Sequence, residues 1–174
     1  MNDEETDPVA GFDAFVEVEF SHVLALALAL LGNRDDAVDV AQETMARTFA
    51  RWDDVTTMDR PGAWARRVAL NLVNDTLRQR TRRRRLQLKL RAQRTPIVTE
   101  PGVDEWDRTF WAEVAALPQR QRDVVVLHYV DDLAIADIAA IVEAPEGTVK
   151  SDLSRARDRL RLAMSQTDDE GSDR

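Results

Sequence analysis

Residues 133–160 read LAIADIAAIVEAPEGTVKSDLSRARDRL, and this stretch decides the fold of the C-terminal part of the chain. Apolar residues recur in its first half at three- and four-residue spacing, which predicts a short amphipathic helix over residues 135–142. A tight turn is predicted over residues 143–146, followed by a last helix from Gly147 to about Met164. Two helices joined in this way are typical of a helix-turn-helix motif.

The spacing divides the last helix into an inward and an outward face. Four apolar residues are predicted to face inward: Val149, Leu153, Ala156 and Leu160. Six polar or basic residues are left outward: Thr148, Lys150, Ser151, Ser154, Arg155 and Arg159. A helix with hydroxyls and cations near its N-terminus can approach phosphates and base edges in a major groove. Periodicity alone also allows a packed helix pair with a solvated basic face.

Upstream of this motif, Pro118 separates two predicted helices at residues 106–117 and 119–130. Residues 94–103 carry two prolines and a glycine, which favours an extended linker over a packed element. We therefore expect a domain boundary in this segment.

The N-terminal part is predicted to contain three helices around one core. The first begins near Phe12 and ends at Gly32-Asn33, and the second runs to about Trp52. A polar loop at residues 53–60 precedes Pro61, a residue suited to the first turn of the third helix.

The predicted fold is therefore all-α, with two small helical domains joined by a flexible linker. The expected boundaries are an acidic tail at 1–11, a first domain at 12–90, a linker at 91–109, a helix-turn-helix domain at 110–166 and a disordered acidic tail at 167–174.

Charge is distributed unevenly along the chain, although the net charge is −8. Residues 60–94 hold twelve basic residues against the single acid Asp75, and residues 1–43 hold eleven acidic residues against one base, Arg34. Crowded arginines repel unless a polyanion neutralises them, so a nucleic-acid backbone is a suitable partner for the central helix. A solvated arginine-rich face is the alternative. The acidic residues 2–10 are a candidate intramolecular shield for these arginines.

Polar and aromatic residues beside the arginines bear on nucleic-acid binding. Asn71 and Asn74 are candidate base readers because an amide both donates and accepts hydrogen bonds. Trp52 and Trp64 lie at periodic positions, which favours a place in the core over a stacking platform.

Several function classes are disfavoured by the composition. The absence of cysteine excludes disulfides and thiolate zinc sites, and neither a metal nor another cofactor is expected. His22 and His128 are isolated, so we interpret both as structural and expect no enzyme. The most apolar run, residues 23–31, is shorter than a membrane span, so we expect a cytoplasmic protein without a membrane partner.

Three strings together resemble the extracytoplasmic-function (ECF) sigma factors of bacterial RNA polymerase, which belong to the sigma-70 family. They are DAVDVAQETMARTFARW at 36–52, RPGAWARRVALNLVNDTLRQRTRRR at 60–84 and LPQRQRDVVVLHYVDDLAIADIAAIVEAPEGTVKSDLSRARDRLR at 117–161. Residues 12–85 resemble conserved region two, and residues 114–164 resemble region four.

The resemblance implies a role in transcription initiation, with core RNA polymerase and promoter DNA as partners. Polymerase would be bound by Asp36, Asp39, Gln42 and Glu43, through the clamp helices of its largest subunit. Single-stranded minus 10 DNA would be bound by Trp64, Arg67, Asn71, Asn74, Arg78 and Arg82, with the loop at 53–60 capturing a flipped base. Duplex minus 35 DNA would be read by the six outward residues of the last helix. ECF factors often have an anti-sigma factor, which is a further candidate partner, and we expect the free chain to be monomeric.

Two positions depart from the family pattern within the last helix. Asp152 and Ser154 stand where a basic or aromatic residue is common, and a carboxylate at Asp152 is expected to repel phosphate. Two other functions remain open from the residues alone. One is a helix-turn-helix regulator that binds duplex DNA as a dimer without polymerase, and the other is a helical adaptor that binds acidic proteins.

Overall fold

The computed structural model describes residues 8–90 and 105–171, and the regular secondary structure in these ranges is entirely α-helical. The N-terminal unit consists of α1 (Pro8–Leu31), α2 (Arg34–Phe49), α3 (Trp52–Val55) and α4 (Pro61–Leu90). The C-terminal unit consists of α5 (Glu105–Ala116), α6 (Gln119–Tyr129), α7 (Ile135–Ile141) and α8 (Glu146–Gly171). The all-α prediction with two helical units is confirmed.

The junction between α1 and α2 forms as the sequence predicts. Gly32 adopts a positive φ of 60°, and its N–H donates to the Leu28 carbonyl over 2.9 Å. The Asn33 side chain then accepts a hydrogen bond of 2.9 Å from the Asp36 N–H, which caps the N-terminus of α2. The helix stop and the helix start therefore lie side by side.

Some helix ends differ from the predicted ones. Helix α2 ends at Phe49, and the predicted loop begins with the short α3, in which Trp52 packs its ring on Phe12 and Phe15. Helix α8 continues to Gly171, into the predicted disordered tail, because no proline or glycine interrupts the chain between Gly147 and that residue. Of the predicted linker, residues 91–104 lie outside the described residues and 105–109 belong to α5.

Helix α1 is the central core helix of the N-terminal unit. Its stretch Gly11–Leu31 has a mean hydropathy of 1.9 and is long and apolar enough to cross a membrane, which corrects the expectation that the apolar run is too short. Part of this apolar surface is buried against α2 and α4, as in the core of a water-soluble bundle. Its buried side chains are Val23, Leu26, Ala27, Leu30 and Leu31.

The two units pack against each other. Helix α1 contacts α5 and α6, and α4 contacts α7, so buried side chains of both units form one continuous hydrophobic cluster. This docking brings the C-terminal unit onto the arginine-rich side of α4, where it bears directly on the candidate sites.

Candidate nucleic-acid and polymerase surfaces

The helix-turn-helix motif is formed by α7 and α8. Val149, Leu153, Ala156 and Leu160 of α8 are all buried, as the spacing predicts. On the opposite side, Lys150, Ser151, Ser154, Arg155 and Arg159 are exposed and Thr148 is half-buried. The predicted division of α8 into an apolar inner face and a polar outer face is therefore confirmed.

The turn between α7 and α8 contains a residue in the left-handed region. Glu143 has a φ of 50°, a conformation in which a side chain is disfavoured relative to glycine. The Ala144 N–H donates to the Ala139 carbonyl over 3.0 Å and closes the turn. The Glu143 carboxylate forms an ion pair with Arg67 of α4, so this turn also touches the other unit.

Asp152 does not lie on the outer face of α8. Its side chain is only 7% exposed, and it accepts a hydrogen bond of 2.6 Å from Arg120 Nε. The predicted repulsion of phosphate by Asp152 is therefore wrong in this arrangement, because the carboxylate points into the C-terminal unit and is compensated there. Asp152 lies three residues after Val149 and four before Ala156, and this spacing already places it on the inward face of α8.

The predicted minus 10 residues share one face of α4, at intervals of three or four residues. Asn71, Arg78 and Arg82 are exposed, whereas Trp64 and Arg67 are half-buried. Asn74 is only 4% exposed, so it is not available as a base reader in this arrangement. The structure thus brings the six residues to one face but covers part of that face.

The C-terminal unit covers part of this face of α4. Asn74 Nδ2 donates to Asp123 Oδ2 over 3.1 Å, and its Oδ1 accepts from Arg122 Nη2 over 2.7 Å. Arg78 Nη2 donates to Gln119 Oε1 over 3.1 Å. Each of these contacts joins α4 to α6.

A buried ion network that the sequence analysis missed lies beside this contact. The Arg66 guanidinium binds both Glu19 of α1 and Asp131, which follows α6, and the Asp131 side chain is 1% exposed. His22 Nδ1 lies 2.7 Å from the same Asp131 carboxylate. Burial acts to lower the pKa of Arg66, but hydrogen bonds and charges of Asp131 and Glu19 outweigh it and raise the pKa.

The buried carboxylate of Asp123 has weaker compensating interactions than that of Asp131. Burial raises the pKa of its carboxyl to about 6, although the hydrogen bond from Asn74 and the charge of Arg122 act in the opposite direction. Burial likewise lowers the pKa of Arg122, an effect that the charge of Asp123 opposes. Asp123 Oδ1, Arg122 Nε and Gln121 Oε1 are buried without a hydrogen-bond partner. The contact between α4 and α6 is therefore polar and imperfectly satisfied.

The predicted polymerase-binding residues lie on α2. Asp39, Gln42 and Glu43 are exposed, and Glu43 Oε1 accepts a hydrogen bond of 2.8 Å from Arg47 Nε. Asp36 is half-buried and forms an ion pair with Arg80 of α4. Three of the four residues are therefore open to a partner, and Asp36 is engaged within its own unit.

Trp52 is half-buried in contact with Phe12 and Phe15, which supports its interpretation as a core residue. Arg60, at the end of the predicted loop, pairs with Asp137 of α7. The proposed N-terminal shield, residues 2–10, falls mostly outside the described residues.

Comparisons with known proteins bear on both units. Residues 15–83 match the family model described as Sigma-70 region 2, and residues 108–160 match the one described as Sigma-70, region 4. An RNA polymerase sigma-E factor of Streptomyces coelicolor is 31% identical over 88% of this chain and 85% of its own length. The corresponding protein of Streptomyces avermitilis is 30% identical over 92% and 88%, and the ECF sigma factor SigW of Bacillus subtilis is 29% identical over 87% and 89%.

Solved structures show the same arrangement of helices. The sigma factor RpoE of Bartonella quintana, solved in complex with the anti-sigma factor NepR, has a TM-score of 0.69 at 25% identity and covers 89% of this chain and 97% of its own. CnrH, solved with the cytosolic domain of CnrY, has a TM-score of 0.62 over 91% of this chain and 90% of its own. At 23% identity, that second likeness concerns the fold alone.

Proposed function

Because the chain belongs to the ECF sigma factors of the sigma-70 family, we propose that its two helical units divide promoter recognition between α4 and α8. As a sigma factor, the chain directs core RNA polymerase to promoters for transcription initiation.

Polymerase binding is assigned to the exposed face of α2. Asp39, Gln42 and Glu43 offer carboxylates and an amide to solvent on one side of a helix whose other side is buried. Such groups suit the guanidinium groups of a partner protein, because charge-assisted hydrogen bonds are directional. Asp36 holds Arg80 and is assigned a positioning role in this surface.

The minus 10 strand is assigned to the face of α4. Asparagine and arginine side chains recur there every three or four residues, a spacing that keeps them on one side of the helix. Amides can read the edges of unpaired bases, and arginines can hold the phosphates between them. The residues are Trp64, Arg67, Asn71, Asn74, Arg78 and Arg82, and for Asn74 the assignment requires that its hydrogen bonds to Asp123 and Arg122 are broken.

The minus 35 duplex is assigned to the outer face of α8. The observation that carries this assignment is that α8 keeps its cations and hydroxyls on the exposed side of a fully buried apolar stripe. Lys150 and Arg155 lie within three turns of the N-terminus of α8, where a recognition helix enters a major groove. Ser151 and Ser154 supply short hydroxyls beside them, with Thr148 and Arg159 at the edges of the surface.

The setting of this activity follows from the partners. RNA polymerase and promoter DNA lie in the bacterial cytoplasm, so we place the chain there and assign it no catalytic step. The neighbouring RpoE structure contains an anti-sigma factor. A protein of that kind is a candidate regulator of this chain.

The direct test combines the chain with sigma-free core polymerase and maps start sites by genome-wide run-off transcription. Discrete starts that share upstream motifs near minus 10 and minus 35 are expected. Failure to bind core polymerase, or palindromic sites bound by a dimer without polymerase, would support the helix-turn-helix regulator instead. Binding to acidic proteins without any start site would favour the adaptor.

A further inference from the structure

A polar groove lies between α2 and α4 of the N-terminal unit, and its volume is about 280 Å³. One wall is acidic, with Asp36 and Asp39 of α2, and the other wall is basic, with Arg80 and Arg83 of α4. Asp39 also belongs to the exposed face of α2 that is assigned to polymerase, so the groove continues that surface.

One end of the groove is held in place by Arg80. Its guanidinium pairs with Asp36 and also donates to the Leu31 carbonyl over 2.8 Å. Because Leu31 ends α1 and Asp36 lies in the first turn of α2, this side chain of α4 ties three helices together. The two walls are therefore fixed relative to each other before any partner binds, which lowers the entropic cost of binding one.

The other two charges of the groove are available to a partner. Asp39 and Arg83 are both exposed, and neither forms an ion pair with another residue in the part of the chain that the structure describes. Two opposite charges that line one groove without neutralising each other offer separate contacts to a molecule that enters it. Asp39 suits a basic side chain, and Arg83 suits an acidic one.

Arg83 lies on a different side of α4 from the face assigned to the minus 10 strand. At roughly 100° per residue, Arg82 is within about 40° of Arg78 around the helix axis, whereas Arg83 is about 140° from Arg78. The arginines near the end of α4 are therefore divided between two surfaces. Strand binding accounts for Arg78 and Arg82 but not for Arg83.

We propose that Arg83 is a further polymerase-binding residue and that a helix of core polymerase occupies the groove between α2 and α4. The bound helix presents a basic side chain to Asp39 and an acidic side chain to Arg83. This inference rests on the assignment of polymerase binding to α2 under the proposed function, and it extends that surface to a second helix.

The charges of the groove favour a protein over a nucleic acid as its occupant. A DNA strand carries anionic phosphates along its whole length, and the carboxylates of the α2 wall would repel them. A helix can pack against two others at interaxial distances of about 8 to 10 Å and can carry both signs of charge. Because the walls differ in sign, the two directions of a bound helix are not equivalent, so the groove also orients polymerase on the chain.

The test measures binding to sigma-free core polymerase in the absence of DNA, by biolayer interferometry with the core enzyme immobilised. Arg83→Glu sets a like charge against the acidic side chain of the partner and is expected to weaken binding about tenfold. Arg83→Lys keeps the charge and should lose no more than about threefold. The matched control Arg51→Glu makes the same charge change at an exposed residue beyond the far end of α2 and should bind as the wild type does.

A second variant tests whether the groove is filled, without changing its charge. Gln79 lines the groove at an exposed position, so Gln79→Trp places a bulky ring there and is expected to weaken core binding about fivefold. Ala50→Trp adds a ring at an exposed residue after the end of α2 and should leave the affinity unchanged. Circular dichroism verifies that each variant keeps the helix content of the wild type.

Wild-type affinity in Arg83→Glu would overturn the inference, and so would equal losses in Arg83→Glu and Arg51→Glu, since only net charge would then matter. A loss with Arg83→Glu but none with Gln79→Trp would show that polymerase leaves the groove empty. Unchanged core binding with weaker binding of the holoenzyme to promoter DNA would assign Arg83 to DNA instead. A wild-type chain that does not bind core polymerase contradicts the proposed function itself, so the two failures are distinguishable.

Discussion

Asp123 of α6 and Asn74 of α4 are joined by a buried hydrogen bond of 3.1 Å, although they belong to different units and lie 49 residues apart in the chain. Asp123 is 7% exposed and Asn74 is 4% exposed. A carboxylate in such a place is stabilised by its partners and destabilised by the loss of water. The pH dependence of stability follows from this balance.

Because the pKa of the Asp123 carboxyl is raised to about 6 in the folded chain, we predict that the free energy of unfolding falls as pH rises toward that value. The folded-state pKa is about 6, above the ordinary value of 3.8, so the folded chain binds more protons than the unfolded chain between these values. The contribution of Asp123 to the free energy of unfolding is therefore most favourable below about pH 4 and declines through about pH 6. Asp123→Asn should raise the free energy of unfolding at pH 7.5 by about 1 kcal/mol and flatten this part of the profile.

Urea titrations at a series of pH values measure this effect. Asp158→Asn, which neutralises an exposed acid on α8, is the matched control and should leave the profile almost unchanged. Equal slopes for wild type and Asp123→Asn between pH 4 and pH 6 would contradict the prediction.

Arg66 is expected to be important for stability. Its removal leaves the Asp131 and Glu19 carboxylates buried without their shared cation, so Arg66→Leu should lower the free energy of unfolding by about 3 kcal/mol. Arg161→Leu, which breaks an exposed pair with Asp158, should cost less than about 0.5 kcal/mol. Denaturant unfolding checks both, and similar losses for the two variants would count against the network.

Asp152 is predicted to stabilise the C-terminal unit and to have little direct effect on DNA. Asp152→Ala removes the partner of Arg120 and should reduce the free energy of unfolding by about 1 kcal/mol. Affinity for a minus 35 duplex should not increase, because the carboxylate does not face the groove surface. A gain in duplex affinity, measured by fluorescence anisotropy, would restore the idea that Asp152 repels phosphate.

Glu143 should tolerate glycine better than alanine. Both substitutions remove the ion pair with Arg67, but only glycine relieves the φ of 50°. Glu143→Gly should therefore be more stable than Glu143→Ala by about 1 kcal/mol. At Ala140, an exposed position within α7, glycine should instead cost up to about 1 kcal/mol. Thermal unfolding of these variants tests whether glycine is more stabilising than alanine at position 143 and less stabilising at position 140.

Arg155 is expected to contribute to promoter engagement. Arg155→Ala should weaken binding of holoenzyme to the minus 35 element by about 1 to 3 kcal/mol if the guanidinium reads a base. Arg161→Ala removes an equal charge from a position further along α8 and should have less effect. Unchanged run-off transcription from the cognate promoter would remove Arg155 from the surface.

The helices were largely predictable because their apolar spacing is local. The stripe of Val149, Leu153, Ala156 and Leu160, and the Gly32-Asn33 junction, each depend on residues within a few turns. The inward position of Asp152 follows from the same spacing, whereas its charge alone favours an exposed position.

The docking of the two units was not predictable in the same way. Arg66 and Asp131 are 65 residues apart, and His22 and Asp131 are 109 apart, so no periodic pattern joins them. From the sequence alone, an acidic residue such as Asp131, which follows α6, is equally consistent with a solvent-exposed charge. Only the packing of the C-terminal unit against α4 shows that Asp131 meets Arg66 and that α6 covers Asn74.

The position of α1 has a consequence for how the chain is made. This helix is synthesised well before α5 and α6, and yet it contacts both of them. Until α6 and the residues after it are synthesised, Glu19 and Arg66 lack the Asp131 carboxylate. The apolar surface of α1 that packs against α5 and α6 is exposed during this time. A growing chain arrested before α5 should therefore be a preferred client of chaperones that recognise apolar helices.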